Sequence, residues 1–136
     1  MQSLSRNQQF AVLSAAIYLS ACVLGFLVTG FDDFAADTDE TLIILGLNPL
    51  HNLVHLTLGL VWAAAATNRR AAPIVNLALG AGLLAAFALG VAGGATFLNI
   101  DGVSEPDNYL HLVYGIAAIA VARLTEPADD PAYART

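Results

Sequence analysis

The chain has 136 residues, a formal net charge of −6, 57% hydrophobic residues and only 12% charged residues. Soluble domains carry about 25% charged residues, so this composition is typical of a membrane protein. The basic residues are five arginines spread along the chain. They form no patch that would neutralise phosphates, which excludes nucleic acid as a partner.

Four stretches are predicted to be membrane-spanning helices, each of which needs about 20 mostly apolar residues. They cover residues 10–30, 49–68, 73–97 and 106–124. The first is longer than the core of a signal peptide, so we expect it to be retained. Asn48 and Pro49 suit the N-cap and the first position of the second helix. The segment Thr41–Leu47 is too short to cross and is expected to lie at the outer interface as an amphipathic piece.

The arginines set the predicted orientation, because basic residues mark the cytoplasmic side of a membrane protein. All of them lie on one side of the four-span arrangement: Arg6, Arg69, Arg70, Arg123 and Arg135. Eight of the eleven acidic residues lie in the first and third loops, or just after the third, and these loops would face outward. The prediction is therefore one all-α integral membrane domain over residues 1–136, with both termini cytoplasmic and a flexible polar tail at 125–136.

One pattern occurs in both halves of the chain: "HNLVHLTLG" at 51–59 and "DNYLHLVYG" at 107–115. Both read Asn-x-x-His-x-x-x-Gly, and the offset between them is 56 residues. The paired positions are Asn52 with Asn108, His55 with His111, Gly59 with Gly115, and His51 with Asp107. The repeat predicts two pseudo-symmetric two-helix halves, related by an axis along the membrane normal.

The repeat also predicts a polar cluster near the outer face. Residues four apart share a helix face, so His51 and His55 form one ladder, and Asp107 and His111 form another. Ionisable side chains inside a membrane face the bundle rather than lipid, so the two ladders would converge. The whole polar cluster comprises Asn48, His51, Asn52, His55, Asp107, Asn108 and His111.

Three uses of this cluster are open from the sequence. Hydrogen bonds between asparagine and histidine side chains would fix the packing of the halves, which is the reading the sequence favours. Alternatively, His51, His55, Asp107 and His111 would bind zinc, copper(II) or iron(II). A third arrangement has His55 and His111 as axial ligands of a haem, with Gly59 and Gly115 leaving room for the ring.

Small residues recur every fourth position in the third span, at Gly82, Ala86, Gly90 and Gly94. Such a face permits close helix packing in a membrane, and the same role is expected of Gly59 and Gly115 in the second and fourth spans. We expect an internal contact, with a homo-oligomer or an accessory subunit of a larger membrane complex as alternatives. No nucleophile–base pair or phosphate-binding loop is recognisable, so an enzyme is not the expected class.

The motifs "NPLHNLVH", with Asn48, Pro49, His51, Asn52 and His55, and "DNYLH", with Asp107, Asn108 and His111, carry a family resemblance. Together they resemble a prokaryotic membrane family known as domain of unknown function 4383, over about residues 8–125. Tyr109 matches the aromatic residue that often precedes the later Leu-His. The resemblance implies a four-helix protein of the prokaryotic plasma membrane and no particular activity.

Overall fold

The computed structural model describes residues 3–100 and 102–124, so Arg135 and the predicted tail 125–136 lie outside the described residues. Four α-helices form most of the described fold: α1 (Arg6–Thr29), α2 (Pro49–Ala66), α3 (Ala71–Val91) and α4 (Pro106–Leu124). A hairpin of β1 (Thr41–Leu42) and β2 (Leu45–Gly46) lies between α1 and α2, and a 3₁₀ turn (Thr96–Leu98) lies between α3 and α4.

Side-chain caps begin the first two helices. The Ser5 hydroxyl accepts the backbone N–H of Gln8, and the Gln8 side chain accepts the backbone N–H of Ser5. This reciprocal capping box satisfies two N–H groups that no helical partner reaches. Asn48 caps α2 as predicted, because its Oδ1 accepts the backbone N–H of His51 at 2.9 Å and Pro49 takes the first helical position.

The third helix ends six residues before the predicted span of 73–97 does, at Val91. The backbone N–H of Gly94 donates to the carbonyl oxygen of Leu89 at 2.8 Å. The backbone N–H of Gly93 donates to the carbonyl oxygen of Gly90 at 3.0 Å. Gly93 has φ +73°, a left-handed conformation that glycine adopts without steric cost. This pair of bonds is a Schellman motif, which terminates a helix. The predicted continuation through Gly94 is therefore wrong.

The segment Thr41–Leu47, expected as an amphipathic piece at the outer interface or over the bundle, contains a short β-hairpin. Thr41 pairs with Gly46, and Leu42 pairs with Leu45. Asn99, from the loop before α4, holds this region by accepting the backbone N–H of Thr38 at 2.7 Å and donating to the Leu47 carbonyl at 3.3 Å. The loop between α1 and α2 and the loop between α3 and α4, which we call the outer loops, are thus joined into one cover over this end of the bundle.

The helices form two antiparallel pairs, α1 with α2 and α3 with α4. At one end of the bundle, Gln8 Nε2 donates to the Ala66 carbonyl at 2.9 Å, which places the start of α1 beside the end of α2. At the same end, Asn76 Nδ2 donates to Asn7 Oδ1 at 2.9 Å and Asn76 Oδ1 accepts Trp62 Nε1–H at 3.0 Å. The apolar core lies between these helices and consists of Ala11, Ala15, Tyr18, Trp62 and Leu83.

Burial repeats between the halves. Every buried residue of α3 is 65 positions after a buried residue of α1: Ala72, Asn76, Gly80, Leu83 and Gly90 follow Asn7, Ala11, Ala15, Tyr18 and Gly25. In α4, Asp107, Asn108, His111, Gly115 and Ala118 follow buried α2 residues by 56 positions. The two pairs therefore pack their helices with the same register.

Two helices within the described residues, α1 and α3, are long and apolar enough to cross a membrane. The polar first two turns of α2 and α4 distinguish these helices from α1 and α3. These turns carry the histidines, the aspartate and two of the asparagines, at the end of the bundle that the outer loops cover.

Candidate metal centre

The first two turns of α2 and α4 bring the repeated polar residues together. His51 lies in the first turn of α2 and His55 one turn deeper, while Asp107 and His111 occupy the same levels of α4. Both helices begin at the covered end of the bundle, so their positive dipole ends meet there. This environment disfavours imidazolium and leaves neutral imidazole, which is the form that binds metal ions.

Three donor atoms meet at the centre of the cluster. Asp107 Oδ2 lies 3.4 Å from His51 Nε2 and 3.8 Å from His111 Nε2. All three residues offer a ligand atom within 4.8 Å of the others. These separations are too long for good hydrogen bonds, which are about 2.7–3.2 Å. They are close to the ~3.4 Å that separates two ligand atoms bound to one zinc ion at about 2.1 Å.

The triad is buried and its polar atoms are incompletely satisfied. The exposed fraction is 1% for His51, 3% for Asp107 and 7% for His111. Asp107 Oδ2 and Nδ1 of His111 make no hydrogen bond to any described residue. A buried polar atom without a partner costs about 1–3 kcal/mol, so the unpartnered Asp107 Oδ2, which faces both imidazole Nε2 atoms, favours a bound ligand.

The outer loops close over the triad. The carbonyl groups of Gly46 and Leu98 face the His51 ring, and Leu47 and Ile100 are fully buried beside this end of the bundle. Asn48, the cap of α2, donates from Nδ2 to the carbonyls of Ala36 and Phe97, both at 2.9 Å. Carbonyl groups around a ligating histidine hold its ring in one orientation, as outer-shell partners of metal ligands do.

The asparagines make contacts different from those expected. Asn52 Nδ2 donates to Thr29 Oγ1 at 2.8 Å, and Asn108 Nδ2 donates to the Gly102 carbonyl at 2.7 Å. Between described residues, no asparagine side chain is hydrogen-bonded to an imidazole. The predicted asparagine–histidine bonds across α2 and α4 are therefore wrong, because Asn52 and Asn108 each donate to a partner in their own half.

His55 lies next to the triad but outside it. Its ring is 4.5 Å from that of His51 and 5.4 Å from that of Tyr18, measured between centroids, and the contact with Tyr18 is edge-on. The structure therefore brings three of the four predicted metal ligands together and places the fourth as a neighbour of one of them.

Glycines let the asparagines pack against neighbouring helices. A Cβ at Gly25 would overlap Asn52 Oδ1, and a Cβ at Gly90 would overlap Asn108 Oδ1. Both asparagines are fully buried, so neither has room to withdraw. Gly25 was missed in the sequence. Its equivalence to Gly90 is readable only once the two halves are aligned helix by helix.

The predicted small-residue face of the third span does not form one internal contact. Gly90 is buried against Asn108, and Ala86 is partly buried. A Cβ at Gly82 would meet nothing within 4 Å, and Gly94 is exposed beyond the end of α3. The close approach to α4 occurs instead at Gly80, where a Cβ would lie 2.9 Å from the Gly115 carbonyl oxygen. Of the predicted face, Gly90 thus makes an internal contact as expected, whereas Gly82 and Gly94 do not.

The site does not fit a haem between α2 and α4. The space expected beside Gly59 is filled by Leu19 of α1, whose Cγ lies 2.8 Å from where a Cβ would be. The space beside Gly115 is filled in the same way by Leu84 and the Gly80 backbone. Both glycines face their partner helix within one half rather than each other, so they leave no slot for a ring.

The fold and the cluster define a class: a small four-helix protein with two repeated halves and a buried centre of two histidines and one aspartate. Residues 8–124 match the family described as Domain of unknown function (DUF4383). The chain belongs to that family, as its Asn-Pro-x-His-Asn-x-x-His and Asp-Asn-x-x-His motifs indicated. No curated protein and no solved structure matches the chain.

Proposed function

We propose that this chain is a four-span protein of the prokaryotic plasma membrane that binds one divalent transition-metal ion near its outer face. The observation that carries the proposal is the convergence of His51 Nε2, Asp107 Oδ2 and His111 Nε2 at separations suited to one ion. Two imidazoles and a carboxylate are ligands for zinc, iron(II) or copper(II).

The surface supports a membrane location. All four helices expose large apolar side chains, among them Leu27, Leu60, Ile74 and Val113. A soluble protein rarely exposes an apolar surface that continues around its whole body. The described arginines lie at the end of the bundle opposite the acidic outer loops, as the positive-inside rule requires for cytoplasmic termini. Lipid is therefore the partner we assign, and a homo-oligomer or larger complex remains a prediction.

We assign packing and binding to different members of the cluster. The asparagines have hydrogen-bonding partners in loops or in α1, and their contacts hold the helices of each half together. In the triad, Asp107 Oδ2 makes no hydrogen bond to a described residue, and packing of this kind leaves it without a role. Binding of a metal ion satisfies this oxygen, because a metal–ligand bond replaces its missing hydrogen bond.

Metal content tests the proposal. The full chain, purified in mild detergent and loaded with Zn(II), is expected to retain about one ion per chain after dialysis. Asp107→Asn and His111→Ala are each expected to weaken zinc binding at least about 10-fold, since each removes a ligand. Asp39→Asn, an exposed acidic position, is the matched control and should bind zinc like the parent. A folded parent protein that retains no zinc would contradict the proposal.

A further inference from the structure

We infer that the metal ion at this centre takes a small monovalent anion as an additional ligand. The inference rests on the proposed metal site and names what completes it. The three donors found among the described residues are one short of the four that zinc and cobalt(II) prefer, and three are typical of sites that keep an open position. With one donor atom from each of the three residues, a position is left for an exogenous ligand.

The net charge of the site determines whether that ligand is an anion or a neutral molecule. A divalent ion with one carboxylate and two neutral imidazoles has a net charge of +1, and the triad is almost fully buried. Within the described residues, no other carboxylate joins the ligand group. Burial of an uncompensated charge is strongly unfavourable, so an anion binds there in preference to a neutral ligand.

The surrounding backbone also favours an anionic ligand. The first turns of both α2 and α4 lie at the centre, and helix N-termini stabilise anions through their free N–H groups and dipoles. Here the helix ends do not act alone, since they flank a buried aspartate oxygen and imidazole nitrogens that have no described partner. Metal ion and helix ends thus attract the anion together.

The size of the anion follows from the packing around the triad. The His55 ring is 4.5 Å from the His51 ring, and Leu47 and Ile100 have exposed fractions of 1% and 0%. The triad side chains are at most 7% exposed. Because the triad is enclosed in this way, we expect an anion of a few atoms, such as azide, formate or a halide, rather than a phosphate ester or a larger carboxylate.

Azide binding to the cobalt(II)-loaded full chain tests the inference. The visible ligand-field spectrum of cobalt(II) responds to any new ligand. We expect azide to shift this spectrum and to saturate at one azide per cobalt. The same titration of His55→Phe should give the same shift, because His55 stands outside the ligand set.

The outcomes separate the two proposals. Failure of the folded parent to bind cobalt(II) or zinc would overturn the metal site itself. Cobalt binding without a spectral response to azide, in both the parent and His55→Phe, would overturn the anion inference alone. A response seen only in His55→Phe would also overturn it, because His55 would then be the fourth ligand.

Discussion

At the scale of single residues, the mismatch between the halves carries the functional argument. Asp107 occupies the position that His51 has in the first half, whereas the neighbouring Asn52 and Asn108 are identical. The identical residues make equivalent packing contacts, with Gly25 and Gly90 respectively. The residues that differ, His51 and Asp107, face each other between the halves, with His51 Nε2 3.4 Å from Asp107 Oδ2. The packing contacts of the two halves are therefore equivalent. The equivalence is broken at the position where the imidazole of His51 faces the carboxylate of Asp107.

Replacement of Gly90 tests the packing of the asparagines. Gly90→Ala introduces a Cβ into the Asn108 carboxamide and within 3.0 Å of Ile100 Cγ2. Overpacking of this kind costs about 1–3 kcal/mol, so a lower midpoint of thermal unfolding is expected. Gly25→Ala should behave alike, because its Cβ meets Asn52.

Gly82→Ala is the control for both variants, since a Cβ there meets nothing within 4 Å. Alanine favours a helix over glycine by up to about 1 kcal/mol, so this variant should be as stable as the parent or more so. Equal stability of all three variants would show that the asparagine–glycine contacts do not hold the halves together.

At the scale of helices and loops, polar side chains connect the elements at both ends of the bundle. Asn76 on α3 accepts from Trp62 of α2 and donates to Asn7 of α1, and all three side chains are buried. Asn99 connects the outer loops in the same way, because it accepts the backbone N–H of Thr38 and donates to the Leu47 carbonyl. Such bonds specify which helices are neighbours, because apolar contacts in a membrane do so only weakly.

Asn76→Leu is therefore expected to destabilise the bundle. The leucine fills a similar volume but leaves the Trp62 indole N–H without an acceptor, at an expected cost of about 1–2 kcal/mol. Trp62 is the single tryptophan, so its fluorescence should report the change directly. Gln9→Leu, an exposed polar-to-apolar change on α1, is the matched control. Unaltered unfolding and fluorescence of Asn76→Leu would contradict a structural role for this contact.

The sequence predicted the helices better than their ends and faces. The Asn48-Pro49 cap was readable because its residues act within one turn. The Gly93-Gly94 pair also carried a local signal for the end of α3, which the apolar composition of the segment obscured. The role of Gly80 was not readable, since its contact with Gly115 depends on how far α3 rotates about its axis.

The candidate metal ligands were partly predictable for the same reason. The spacing of four residues places His51 above His55, and the repeat aligns Asp107 with His51. Whether a deeper histidine reaches the axis depends on side-chain rotamers and on Tyr18 from another helix, which contacts the His55 ring. The sequence contains no periodic signal for such a contact, so it predicted four ligands where the structure gathers three.

At the scale of the whole molecule, charge and apolar surface are arranged along one axis. The acidic outer loops and the candidate metal centre lie at one end, and the described arginines lie at the other. Two of the described helices are apolar enough to cross a membrane. The other two carry the buried polar cluster in their first two turns, and they complete the proposed four spans because the cluster faces the bundle rather than lipid.

Labelling of single cysteines tests this topology. With Cys22→Ala as the background, Asp39→Cys in the first outer loop should react with a membrane-impermeant maleimide in intact cells. Thr67→Cys, between α2 and α3, should react only after the membrane is permeabilised. Both positions are exposed, so access depends on the side of the membrane rather than on burial. Labelling of Thr67→Cys in intact cells would contradict the proposed orientation.

X-ray absorption of the zinc-loaded full chain tests the central claim most directly, because it identifies the atoms bound to the ion. The account predicts a first shell of nitrogen and oxygen at about 2.0–2.1 Å, with outer-shell scattering from two imidazole rings. In Asp107→Asn this signature should weaken along with the zinc content. A sulfur shell at about 2.3 Å, or a first shell without imidazole scattering, would contradict a centre built from His51, Asp107 and His111.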